Sequence, residues 1–183
     1  CNGLNLQVFP GNLLIFNPRD NHECVSTSRA PLLHYLGFNI LKKRMEEISM
    51  ELTGESCVPQ FKPTVFSDES AGSTFLELHQ LIMQRSDELR KEELFYILFS
   101  RLFGNYAHTS LRSFPLRSTQ IKKACEYLES HASETITLDD ICRRVSVSKS
   151  SLIRSFSEQL GLTPHSYLMS IRIKEAQTFL KQG

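Results

Sequence analysis

Hydrophobic positions change period along the 183 residues of the chain. Near the start they alternate: Leu4, Leu6 and Val8 are separated by Asn5 and Gln7, and Leu13-Leu14-Ile15-Phe16 is an apolar run ending at Asn17-Pro18. Alternation places one set of side chains on one strand face, so this region predicts β-structure, with a further strand in Leu33–Phe38. From Leu41 the period lengthens. Leu41, Met45, Ile48 and Leu52 share one helical face, and Gly54 follows as a stop. Residues 55–66, with Pro59 and Pro63, predict an extended connector, because proline fixes its own φ and restricts the residue before it.

Between about Ser73 and Tyr106 the pattern predicts two helices divided near residues 86–91. Leu78, Leu81 and Ile82 mark one stripe; Leu94, Phe95, Leu98, Leu102, Phe103 and Tyr106 mark a denser one. A stripe that wide and aromatic must be covered, either by the first helix or by a second copy of the chain. Residues 107–118 mix polar residues with Pro115, Arg112 and Arg117, the composition of a linker.

The last third has the clearest punctuation. Ile121, Cys125 and Leu128 give a buried stripe to a helix over about 119–131. Thr137 is placed to cap a second, with Asp139 and Asp140 in its first turn and Leu138, Ile141, Cys142 and Val145 facing inward. Ser146-Val147-Ser148 forms a turn, and Ser148 caps a third helix in which Leu152, Phe156 and Leu160 recur every four residues before Gly161. Thr163-Pro164 opens a long fourth helix carrying Tyr167, Leu168, Ile171, Phe179 and Leu180.

A short helix, a three-residue turn and another short helix make a DNA-binding arrangement, whose second helix enters the major groove. With Leu152, Phe156 and Leu160 inside, Lys149, Ser150, Ser151, Ile153, Arg154 and Ser157 are expected to point outward. Arg154 suits guanine O6 and N7, Ser150 a base or phosphate, and Ile153 a thymine methyl. Lys149, Arg143 and Arg144 suit phosphates. The bland alternative for each is a solvated surface side chain.

Charge agrees in direction. Residues 1–110 hold 10 Lys and Arg against 13 Asp and Glu, while residues 111–183 hold 11 against 7, so the basic end is the one expected to meet phosphate. Cys1, Cys24, Cys57, Cys125 and Cys142 include no C-x-x-C pair, and two lie on helical stripes, as expected of reduced, packed thiols. The six histidines are scattered without metal-ligand spacing, apart from Glu23 beside His22, and no nucleophile elbow or glycine-rich phosphate loop is present. The expectation is therefore no enzyme, no metal and no cofactor. No apolar run approaches the roughly 20 residues that cross a bilayer, so no membrane partner and a cytoplasmic location are expected.

The stretch from Ile136-Thr-Leu-Asp-Asp-Ile-Cys142 through Val147-Ser148-Lys-Ser-Ser-Leu152-Ile-Arg-Ser-Phe156, with Leu160-Gly161-Leu-Thr-Pro164-His-Ser-Tyr167-Leu and Arg172-Ile-Lys-Glu-Ala176-Gln-Thr-Phe-Leu180, resembles the AraC/XylS family of bacterial transcription regulators. The resemblance implies that Ser150 and Arg154 read bases and that the fourth helix joins two helix-turn-helix units. Upstream, Gly11-Asn-Leu-Leu-Ile-Phe-Asn-Pro18-Arg-Asp-Asn-His22 resembles the end of that family's cupin-like effector barrel, which makes His22 a candidate ligand-binding residue. Residues 73–106 resemble its paired dimerisation helices.

The resulting expectation is an α+β, mostly α chain. It has a partial cupin-like β-barrel and helical hairpin over 1–106, a linker over 107–118, and an all-α helix-turn-helix domain over 119–183. The chain reads as a fragment, with the barrel entered midway and a second helix-turn-helix unit due after Gly183. Its expected partners are double-stranded DNA, a small-molecule effector and a second copy of itself. The rival class is a protein–protein interaction module whose aromatic stripe docks a partner and whose helical bundle never meets DNA.

Overall fold

The computed structural model describes residues 5–23, 25, 34–107, 109–112 and 115–182, and it is mostly helical. Among these residues sheet structure is confined to one ladder, in which β1 (Leu13–Leu14) runs antiparallel to β2 (Val65–Phe66), with Leu13 opposite Phe66. The ladder is extended by the Ile15 amide donating to the Thr64 carbonyl at 2.9 Å. Asn17 then imitates a strand neighbour: its Oδ1 accepts from the Phe61 amide at 2.8 Å and its Nδ2 donates to the Phe61 carbonyl at 3.1 Å.

The cupin-like barrel expected here is not formed by the described residues. Leu6 and Val8 alternate as anticipated but are exposed, and no strand forms at residues 5–12 or 34–40. Alternation supplies a face, and a strand also needs a hydrogen-bonded neighbour, which these segments do not find among the described residues. Leu4 and Leu33 lie outside the described residues.

The helical expectations hold closely. α1 (Lys42–Thr53) stops at Gly54, whose φ of 86° lets its amide reach the Met50 carbonyl. A side chain at Gly54 would be strained by that backbone and would also meet Arg112, whose Nε stands 2.5 Å from where a Cβ would sit. α2 (Glu69–Gln84) is capped by Asp68, which accepts from the Ala71 amide, and α3 (Glu88–Tyr106) by Asp87, which accepts from the Arg90 amide.

Two clasps make α2 and α3 an antiparallel hairpin. Arg90, early in α3, pairs with Glu77 at 2.8 Å, while Asp68, at the start of α2, accepts from Arg101 Nε at 2.7 Å and from the Tyr106 hydroxyl at 3.0 Å at the far end of α3.

The dense stripe of α3 is covered within the chain: Leu94, Leu98, Leu102 and Phe103 are buried, and α3 packs on α2, α5, α6 and α7. No second copy is needed to hide it. One apolar cluster runs from Ile48 to Leu168. The segment read as a linker is also tied down, since the Arg112 amide donates to the Leu52 carbonyl at 2.7 Å and the Leu116 amide to Ser155 Oγ at 3.0 Å.

Candidate nucleic-acid interface

Four helices follow: α4 (Ser118–Ser130), α5 (Leu138–Val145), α6 (Lys149–Leu160) and α7 (Pro164–Gln182). Local chemistry sets their limits. Thr137 and Asp140 form a reciprocal capping box, the Thr137 hydroxyl accepting from the Asp140 amide while the Asp140 carboxylate accepts from the Thr137 amide at 3.0 Å. The Thr137 hydroxyl, donating to that carboxylate at 2.6 Å, and the Thr137 amide hold the Asp140 carboxyl below its usual range. Ser146, at φ 56°, turns the chain out of α5, Ser148 accepts from the Ser151 amide to start α6, and Gly161, at φ 69°, ends it.

Leu138, Ile141, Val145, Leu152 and Phe156 are buried, and the Phe156 ring meets Tyr167 edge-on at 6.0 Å. Leu160 departs from the expectation and is 39% exposed. Each four-residue step overshoots a full helical turn, so two steps carry it about 80° off the stripe begun by Leu152. Cys142 is buried, and burial pushes its thiol up to about 12, the behaviour of an inert packed side chain.

The outward surface of α6 differs most from expectation. Ser150, Ser151 and Ile153 are buried at 6%, 8% and 7% exposure, and the Lys149 side chain is only 13% exposed. The cause is the helical layer upstream, since α1 and α3 both pack on α6. Lys149 Nζ lies 2.7 Å from Glu92 and 2.9 Å from Asp139. Burial alone would lower the pKa of that ammonium, but the two carboxylates outweigh it and the pKa is raised.

Arg154 is half-buried and donates from Nη1 to the Arg112 carbonyl at 3.1 Å. Arg143 and Arg144 are exposed, Arg143 paired with Asp140, and Ser157 is exposed as anticipated. The structure thus brings Lys149, Ser150 and Ser151 together at the start of α6, but under a cover.

Three residues of that cover escaped sequence reasoning. Glu92 Oε2 accepts from the Leu138 amide at 2.8 Å, Glu51 Oε1 accepts from the Ser150 amide at 3.1 Å, and Glu93 Oε1 accepts from the His165 amide at 2.9 Å. Only Glu93 left a trace in the sequence: it stands four residues after Leu89 and three before Tyr96, inside the buried arc of α3.

His22 is exposed and stacks on Phe16 at 3.7 Å, with Nδ1 3.2 Å from the Asp20 carbonyl. Among the described residues there is no cluster of metal-ligating side chains and no helix long and apolar enough to cross a membrane.

A capped α5, a turn at Ser146-Val147-Ser148 and a capped α6 on a shared core define a helix-turn-helix protein. Residues 128–169 match the bacterial regulatory helix-turn-helix proteins of the AraC family. The whole chain is 39% identical to an uncharacterised HTH-type transcriptional regulator of Bacillus subtilis, covering 66% of that relative. It is 26% identical over 76% of its length to an uncharacterised HTH-type transcriptional regulator of Staphylococcus aureus, covering 22% of it. It is 25% identical over 55% of its length to the lactose operon transcription activator of Staphylococcus xylosus, covering 39% of it. The chain belongs to the AraC family, and it spans about two-thirds of the Bacillus relative and smaller shares of the others. No solved structure matches it.

Proposed function

We propose that this chain is part of a sequence-specific DNA-binding transcription regulator in which α6 enters the major groove and α5 rests against the backbone. The observation that carries this reading is the locally capped α5–turn–α6 unit, with Leu152 and Phe156 committed to the core and Arg143 and Arg144 in solvent beside it. In the groove Arg154 reads guanine, Ser150 a base or phosphate, and Ile153 a thymine methyl. Lys149, Ser151, Arg143 and Arg144 hold phosphates. The relatives, among them transcriptional regulators and a transcription activator, support the same role.

The family resemblance extends the proposal to a cytoplasmic homodimer that answers to a small-molecule effector, with residues 1–106 as the sensing region, residues 107–118 as a connector and His22 as a candidate contact. Nothing in the site calls for catalysis. The interaction-module alternative is weaker, because the aromatic stripe on which it relied is used inside the chain.

The test is selection from random duplex DNA followed by binding measurements across a salt series. Phosphate contacts predict affinity that falls steeply with salt, and Arg154→Ala should weaken specific binding by about 1–3 kcal/mol and relax preference at one base pair. Salt-insensitive binding, or an unchanged preference, refutes the assignment.

A further inference from the structure

The three glutamates missed by sequence reasoning share a geometry. Each accepts a hydrogen bond from a first-turn amide of a different helix in the DNA-binding half: Glu92 from α5, Glu51 from α6 and Glu93 from α7. Glu92 does more, because its other oxygen takes the Lys149 ammonium at 2.7 Å. A helix N-terminus with a lysine beside it is the site at which a DNA phosphate is held.

The helices do not need these carboxylates in order to begin. α5 already has the Thr137–Asp140 box and α6 already has Ser148. A second acceptor at each of those two termini adds little to helix formation, but it fills the anion site and brings α1 and α3 over the first two turns of α6. Ser150, Ser151 and Ile153 are buried as a result, and a duplex cannot reach them while α1 and α3 stand there.

We infer that the α1–α3 layer is an autoinhibitory clamp in which Glu51 and Glu92 occupy the phosphate positions of the helix-turn-helix, so that DNA and the clamp compete for one surface. The inference rests on the DNA-binding role proposed above. Glu93 is the anchor rather than the latch: it is fully buried, ion-paired with Arg90 at 3.0 Å, and also accepts from the Thr163 hydroxyl at 2.9 Å. Glu51 and Glu92 are only partly buried and sit at the edge that must open. Glu51 is steadied there by the Tyr96 hydroxyl at 2.7 Å. An affinity limited by a small open population rises in proportion when that population rises.

The experiment compares the full chain with its Glu51→Ala/Glu92→Ala double variant on random-sequence duplex DNA by fluorescence anisotropy, alongside hydrogen exchange of the α6 amides without DNA. The clamp predicts faster exchange at Ser150 and Ser151 and DNA binding tighter by about tenfold. Faster exchange with unchanged affinity overturns the clamp while leaving the DNA-binding role standing. If neither protein binds DNA at any salt although exchange quickens, the DNA-binding role has failed and the clamp falls with it. Should the double variant lose its helical circular dichroism, Glu92→Gln decides. That change keeps the volume and an acceptor but breaks the ion pair with Lys149, and it should tighten binding by about threefold; no change overturns the inference.

Discussion

The α4–α7 unit and the α1–α3 layer are both helical, yet different kinds of interaction hold them. In the first, the residues that fix a helix end are neighbours in sequence: Thr137 with Asp140, Ser148 with Ser151, and Gly161 at its own left-handed φ. In the second, Gly54, Asp68 and Asp87 cap locally as well, but ionic contacts that span the hairpin are added, as between Asp68 and Arg101 or Glu77 and Arg90. Where the two regions meet, distant carboxylates are added over local caps. Local caps decide where a helix begins, and distant ones decide which of its surfaces remains free.

The largest test of this contrast removes core from each side. Phe156 and Phe103 are both fully buried, one in each region, and either one changed to Ala should cost about 3–5 kcal/mol in urea denaturation. Because one apolar cluster runs through both regions, each variant should lower a single common midpoint. Two separate transitions, with each variant moving only one, would show that the regions are held apart rather than together.

Next in size is the buried joint between them. Glu93→Ala leaves Arg90 half-paired and the His165 amide and Thr163 hydroxyl without their acceptor, so a loss of about 3 kcal/mol is expected from the same denaturation curves. A smaller effect belongs to the local caps. Thr137→Ala should cost about 1 kcal/mol, and exchange at Ser150 should rise far less than in the Glu51→Ala/Glu92→Ala variant. Equal exchange in the two would erase the distinction between caps that form helices and carboxylates that cover them.

The same contrast explains what was readable in the sequence. The limits of α1, α5 and α6 were legible because Gly54, Thr137 and Ser148 act within a few residues of themselves. The burial of Leu152 and Phe156 was legible because a helix repeats. The cover over Ser150 and Ile153 was not legible, because periodicity divides a helix into faces without saying how many of them are covered. Glu92 meets Lys149 across 57 positions, and nothing local in either residue names the other. The described residues form no barrel for a similar reason: Leu6 and Val8 carry a strand's alternation, but a neighbouring strand cannot be read from it.

The smallest expected effect concerns acid. Asp68 belongs to the layer, and the Arg101 guanidinium, together with the Ala71 amide and the Tyr106 hydroxyl, outweighs burial and lowers its carboxyl from 3.8 to about 2. A carboxyl lowered on folding contributes stability above its unfolded value, so this contribution is complete above about pH 4 and is lost as pH falls toward 2. Asp68→Asn keeps an acceptor for the Ala71 amide but gives up the charge facing Arg101, a partner 41% exposed and therefore screened. The urea midpoint of the variant should sit slightly below that of the parent at neutral pH and converge with it near pH 2. Asp140 is lowered in the same sense within the helix-turn-helix unit, but its capping partner is an uncharged threonine and its arginine, Arg143, is 77% exposed. Asp140→Asn should accordingly remove less of the acid sensitivity than Asp68→Asn. If it removes as much, the layer is no more dependent on ionic clasps than the unit it covers, and the two regions differ only in the distance over which their contacts reach.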